Sequence, residues 1–403
     1  MFIFLHNSRF YSVVWILFLL DRGLSFTEIT ALDVVFWGII ILLSLPAGIF
    51  ADRFGRKKGL IGGELLVAVG IVFFVANPTV IGVFFAYIIW STGSAFLNGP
   101  EQAFIYDYLK AQNQEERFSS VWRNAMIIMY IAWALASLVG GILGENDLGY
   151  PFFLAMISYV LAALVAFSFE EKRPETEEEI TSPVILFQEA VDLTRRTRKL
   201  QILFILSSII MCMSFVEVIF RAPLLKDYGF DESELGVIYL VIVLIAAFGA
   251  FSSGSLSQKL GKHRLYVLIP WCLVFILLVL SQTSKSTVVV ALVCVFFVGL
   301  FRGLTRPVMA EILNEWVPSR IRASIITLGS GISLIFLWIF EPLSGVIAEA
   351  MSIQDTFLVL GSINVVLLIA LSLLWFHSLK EIAPIDSETV PIVEAVAING
   401  RWK

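Results

Sequence analysis

Apolar runs of about 20 residues follow one another along the whole 403-residue chain. A helix rises about 1.5 Å per residue, so roughly 20 apolar residues cross the ~30 Å hydrocarbon layer of a bilayer. Twelve such runs stand near 2–20, 29–50, 59–77, 79–108, 120–144, 150–169, 200–224, 234–257, 264–282, 286–311, 322–347 and 353–378. The composition agrees: 58% of residues are hydrophobic and 15% charged, against roughly 45–50% and 25% in soluble domains. The expected fold class is therefore an all-α membrane protein of twelve transmembrane helices. Gly and Pro within the runs do not oppose helix, since neighbouring helices re-satisfy the freed backbone groups. The weakest run is the first, which His6-Asn7-Ser8-Arg9 interrupts. It lacks a basic leader and a small-residue cleavage site, so it is read as a retained helix. Cys212, Cys272 and Cys294 fall inside separate runs and read as packing residues rather than disulfide partners or metal ligands.

Loops on one side of a membrane protein carry an excess of Lys and Arg. Here alternate loops hold most of the 28 basic residues, among them Arg53, Arg56, Lys57 and Lys58, then Lys110 and Arg117, then Lys259, Lys262 and Arg264, then Arg320 and Arg322. The opposite loops hold only Arg22, Lys226 and Lys285. Both termini and the central linker are accordingly expected in the cytoplasm. The net charge of −5 comes largely from outer-side acids and the linker, and nothing suggests nucleic acid. Within the linker, 170–182 reads as solvated acidic chain, whereas 183–199 is amphipathic and is expected to lie as a short helix on the inner membrane surface.

Shifting the chain on itself by about 205 residues aligns its landmarks. Gly48 and Gly55 fall on Gly254 and Gly261, "RGLSFTEI" on "YGFDESEL", and Pro100 on Pro307. Ser25-x-x-Glu28 and Asp231-x-x-Glu234 place possible capping boxes at matching helix starts. Two parallel six-helix halves follow, 1–169 and 200–380, joined by the linker 170–199 and followed by a cytoplasmic tail at 381–403.

The stretch Gly48-Ile49-Phe50-Ala51-Asp52-Arg53-Phe54-Gly55-Arg56-Lys57-Lys58 resembles the loop signature G-x-L-A-D-R-x-G-R-K of the major facilitator superfamily, at its expected place between the second and third helices. A weaker echo, from Gly254 to Arg264, lies between the eighth and ninth. The resemblance implies that Gly48, Asp52, Arg53, Gly55, Arg56 and Asp107 form a cytoplasmic gate, with Asp107 the partner of Arg56 and with contacts to the other half in the outward-open state. A basic loop that merely sets topology explains Arg53, Lys57 and Lys58 but not Asp52, whose charge opposes the negative end of its helix dipole.

Ionisable side chains within the hydrocarbon layer are costly and should face a cavity or a partner. Glu101 has no Lys or Arg in its own span and is the first candidate for proton coupling, with Glu217 and Glu311 in reserve. Glu217 and Arg221 stand one turn apart and also read as a structural pair. Arg302 and Arg306, four residues apart on one helix face, could hold an anionic substrate group or stabilise carboxylates such as Glu101 or Glu311 across the cavity, and Arg221 is a further cavity candidate. Asp33 and Glu341, nearer the outer side, read equally as outer vestibule or interfacial residues or as part of the transport chemistry, and Glu64 and Arg123 as members of the inner gate. Among aromatic residues, Trp37 and Trp90, together with Trp133 and Trp338, are candidates to line an apolar cavity.

Two family patterns are degraded. The fourth helix lacks the R-x-x-Q-G of many proton-coupled members, and the exporter pattern of the fifth helix carries Ser137 in place of its Pro. The expected function is secondary active transport by alternating access: proton-coupled efflux of a small amphipathic molecule, or uptake of an anionic metabolite by a symporter or facilitator. A monomer with protons and lipid as partners and no cofactor or metal is expected. A sensor or scaffold would call for larger loop domains. An enzyme is not expected, because the three histidines are dispersed and there is no phosphate-binding loop or paired nucleophile and base.

Overall fold

The computed structural model describes residues 1–97, 100–171 and 183–380, without the side chains of Leu45, Asp52, Pro100, Gln102, Ala103, Pro183, Val184 and Lys380. Helices joined by short turns make up the described residues, with no strand among them. The first half comprises α1 (Phe2–His6), a 3₁₀ turn (Phe10–Val13), α2 (Trp15–Asp21), α3 (Phe26–Phe54), α4 (Arg56–Ala76), α5 (Val80–Leu97), α6 (Pro100–Lys110), α7 (Phe118–Asn146) and α8 (Tyr150–Phe167). After the connecting helix α9 (Pro183–Arg196), the second half contains α10 (Arg198–Asp227), α11 (Glu232–Leu260), α12 (Lys262–Leu280), α13 (Val288–Trp316), α14 (Ser319–Ala350) and α15 (Ile353–Lys380). Among the described residues eleven helices are long and apolar enough to cross a membrane. The pair Phe2–Val13 and Trp15–Asp21, bent by 42°, makes a twelfth. The interruption sits where Asn7, Ser8 and Arg9 break the apolar run: Asn7 and Ser8 turn their side chains back onto the carbonyls of Ile3 and Phe4, and such local bonds compete with the helical ladder.

The duplication is visible in the backbone. Ser25 accepts from the Glu28 N–H at 3.2 Å while its own N–H donates to Glu28 at 2.9 Å. Asp231 and Glu234 repeat the arrangement at 2.8 and 3.0 Å. Each reciprocal cap satisfies orphan donors at a helix start, α3 in one half and α11 in the other. The sharp reversals after these helices turn on Gly55 and Gly261, at φ +104° and +79°, a region that side chains other than hydrogen rarely tolerate. Large apolar side chains such as Phe275, Leu164, Val289 and Leu373 point outward, an arrangement stable only where the surroundings are also apolar.

The halves meet through α3 against α14, α7 against α11, α2 against α10 and the 3₁₀ turn against α11. These contacts gather toward the end opposite the basic loops. A methyl group on Gly141 would come within 2.4 Å of the Glu232 carbonyl and 2.6 Å of Gly236 Cα; one on Gly345 would come within 2.2 Å of the Thr30 hydroxyl. Small residues let the two backbones touch and so close this end. Gly141→Ala should therefore push the halves apart here: the distance between spin labels on Thr79 and Gln282 lengthens, whereas a purely internal role for Gly141 leaves it unchanged. The amphipathic stretch 183–199 contains the connecting helix α9. It packs against α14, burying Ala190 and pairing Glu189 with Arg320.

Candidate functional site

Near the middle of α13, Arg302 and Arg306 stay exposed although they lie in a membrane span. Their charges act on Tyr130 of α7 in the first half. Arg302 also lies in the field of Arg221, Glu217 and Tyr239 from α10 and α11. Arg302 is thus exposed at mid-span and within electrostatic reach of groups on three other helices, one of them in the first half, the placement expected of an intramembrane charge that faces the space between the halves. Arg221 binds Glu217 with two nitrogens, one at 2.7 Å, and stacks over Tyr239 with 5.0 Å to the ring centroid. Both members of that pair are buried. The carboxylate of Glu217 is thus consumed by Arg221, which leaves Arg302 and Arg306 as surplus positive charge. Neither forms an ion pair among the described residues. What such an arrangement can do chemically is hold an anion: guanidinium groups present planar donor forks to carboxylate or phosphate.

The other expected site residues separate into three places. Glu101 lies apart from the arginines, in the field of His6, Glu64 and Arg9, with His6 Nδ1 2.8 Å from Glu64. Its own span offers no cation, but the first one does, so Glu101 is not isolated. Glu311 is half-buried further along α13 and forms no ion pair among the described residues. Trp37 donates from Nε1 to Asp33 at 3.0 Å and meets Phe215 of the second half edge-on at 5.4 Å, so it sits at the seam. Trp90 belongs to the packed interior of the first half among Tyr11, Phe36, Phe74 and Tyr87, 5% exposed; it does not line the recess.

At the basic end, Arg56 lies 2.9 Å from Asp107, and its N–H donates to Glu171 at 2.6 Å. Lys57 donates to the carbonyls of Phe167 and Phe169 at 2.7 and 2.8 Å, and Arg53 covers the ring of Phe54. All these partners belong to the first half or its immediate continuation. Gly48 has free space where a side chain would project, and the side chain of Asp52 lies outside the described residues. The second half repeats the arrangement with Lys262 on Glu315 and His263 at 3.8 Å from the same carboxylate.

One convergence was not read from sequence: Asp33 of α3 and Glu341 of α14, both buried, meet across the halves. The signal existed, because the span of Asp33, like that of Glu101, contains no cation. No group of three or more metal-ligating side chains occurs among the described residues.

The sequence profile of the Major Facilitator Superfamily matches residues 1–280. The chain belongs to this superfamily. Among curated relatives, MFS-type transporter YxaM of Bacillus subtilis (strain 168) is 22% identical over 87% of this chain and 88% of its own length. Multidrug resistance protein 2 of the same organism is 24% identical over 86% of each. The crystal structure of the nucleoside transporter NupG superposes with a TM-score of 0.77, covering 93% of this chain and 97% of that one at 15% identity, a likeness of fold. The protein is a multi-pass membrane transporter of the superfamily, with a small-molecule substrate, and not an enzyme.

Proposed function

We propose that this superfamily member carries a small organic anion across the bacterial inner membrane by rocking its halves, 1–169 and 200–380, about the Arg302–Arg306 recess. The observation that supports this reading is the pair of exposed mid-span guanidiniums that form no ion pair among the described residues, Glu217, which lies in the field of Arg302, being already bound to Arg221. A charge so deep in a membrane protein marks a substrate or ion path. The excess of Lys and Arg supports a cytoplasmic position for the Arg56 and Lys262 end. The packed opposite end then makes this a state reached from the cytoplasm, the side from which an exporter loads. Export is further supported by likeness to Multidrug resistance protein 2. The Arg56–Asp107 and Lys262–Glu315 pairs act in this reading as the cytoplasmic gate. Proton entry supplies the driving force through the buried titratable chain of Glu101, Glu64 and His6, and the protein works as a monomer.

A ligand-dependent thermal-stability screen of the purified protein across organic anions, cations, sugars and drugs tests the substrate class. The expected result is stabilisation by organic anions, followed by anion movement in proteoliposomes that responds to an imposed pH gradient. Stabilisation by cations or sugars alone rejects the substrate class, and transport blind to the gradient rejects the coupling.

A further inference from the structure

We propose that Asp33 and Glu341 form a proton-binding site between the two halves, filled when the end opposite the basic loops is closed and emptied when that end opens. Glu341 is fully buried and Asp33 nearly so. α3 and α14 pack antiparallel here, with Gly38 against Trp338 on one side and Thr30 against Gly345 on the other, which brings Asp33 and Glu341 together between these contacts, each within the electrostatic reach of the other. The Trp37 indole donates to Asp33 at 3.0 Å, but neither oxygen of Glu341 meets a protein donor among the described residues. An ionised carboxyl only accepts, so two of them cannot bond to each other unless one carries a hydrogen. Two buried carboxylates without that hydrogen would repel each other in a medium that solvates neither.

No cation relieves the pair. Among the described residues neither carboxyl takes part in an ion pair with Lys, Arg or His. Arg221 on the neighbouring α10 is held by Glu217. The other titratable groups in the field of Glu341 are Tyr87 of α5 and Cys212 of α10, both neutral in their ordinary protonated forms. One proton shared by the two carboxyls is the arrangement that satisfies this site.

The site also spans a joint that moves. Close by, Gly345 of α14 rests on Phe26 and Thr30 of α3, Phe26 packs on Phe220, and Thr27 donates its hydroxyl to Glu349 at 2.5 Å. Parting α3 from α14 breaks these contacts and admits water to both carboxyls, which then ionise in the ordinary carboxylate range. Closure therefore takes up a proton from water and opening returns it. The sign follows from linkage: the closed form binds more protons, so its population falls as pH rises. This site is separate from Glu101, and only its conformational consequence rests on the alternating-access reading.

Two measurements on the full-length protein decide the matter. Infrared difference spectra at neutral pH should show a protonated-carboxyl stretch in the wild type that is lost in both Glu341→Gln and Asp33→Asn. Spin labels on Thr79 and Gln282, with Cys212, Cys272 and Cys294 replaced by alanine, report closure across a pH series. The wild type should shift from closed to open as pH rises, whereas either amide variant, which donates permanently to the remaining carboxyl, should stay closed throughout. An unchanged carboxyl band in both variants overturns the proton site. A band lost as expected, with wild-type pH response retained in both variants, overturns the link to closure while leaving the proton in place.

Discussion

Replacing Arg302 with glutamine is expected to weaken binding of the transported anion roughly ten- to hundredfold, because a hydrogen bond to a charged group contributes about 1.5–3 kcal/mol and each 1.4 kcal/mol is a factor of ten. Transport at low substrate concentration should fall in proportion. Arg302 has no carboxylate partner among the described residues and is exposed, so its loss removes no packing and leaves no orphaned charge. Thermal stability without ligand should stay within about 0.5 kcal/mol of wild type. Arg306→Gln should behave similarly, and the double substitution should abolish uptake or release of the anion altogether. Arg302→Lys keeps the charge but loses the planar fork, so an intermediate affinity is expected. Equal transport by wild type and the double variant would remove the recess from the path.

The second large effect concerns Glu217. It accepts from two nitrogens of Arg221, and both side chains are almost wholly buried. Removing one member of a buried pair leaves the other uncompensated and costs about 3–5 kcal/mol, a large share of the roughly 5–15 kcal/mol that holds a typical domain together. Glu217→Leu should therefore lower the unfolding temperature markedly. Glu217→Leu combined with Arg221→Met should recover much of the loss, since apolar residues of similar size replace buried pairs at little cost. The stable double variant is also informative for function. Glu217 and Arg221 lie in the electrostatic reach of Arg302, so removing both changes the local field without changing its net charge. A single variant as stable as the wild type would show that the pair is not buried as described.

The architecture was largely legible in the sequence because a bilayer imposes it: spans must be long, apolar and helical, and a duplicated gene repeats its caps and turns. Thus Ser25, Glu28, Asp231, Glu234, Gly55 and Gly261 all carry their structure in residue type and spacing. The site was less legible, since periodicity places a residue on its own helix and says nothing of what the facing helix brings. Glu101 looked solitary until α1 and its neighbouring turn supplied His6 and Arg9. Trp90 looked like a cavity residue until Tyr11 and Phe74 closed around it. The lack of a cation in its span marked Asp33 as unpartnered locally, but Glu341, more than three hundred residues away, could be matched to it only through the fold. Arg302 and Arg306 stand out in the sequence as charges within a span, but the bidentate grip of Arg221 on Glu217 comes only from the fold.

The central claim is that one recess is opened to either side in turn as the halves rock. Paired spin-label distances test it most directly: Ala111 with Ser319 across the basic end, and Thr79 with Gln282 across the other, in nanodiscs with and without the most stabilising anion. Rocking of the halves requires the anion to change both distances in opposite senses, one lengthening as the other shortens. Distances that stay fixed, or that lengthen together, would contradict it.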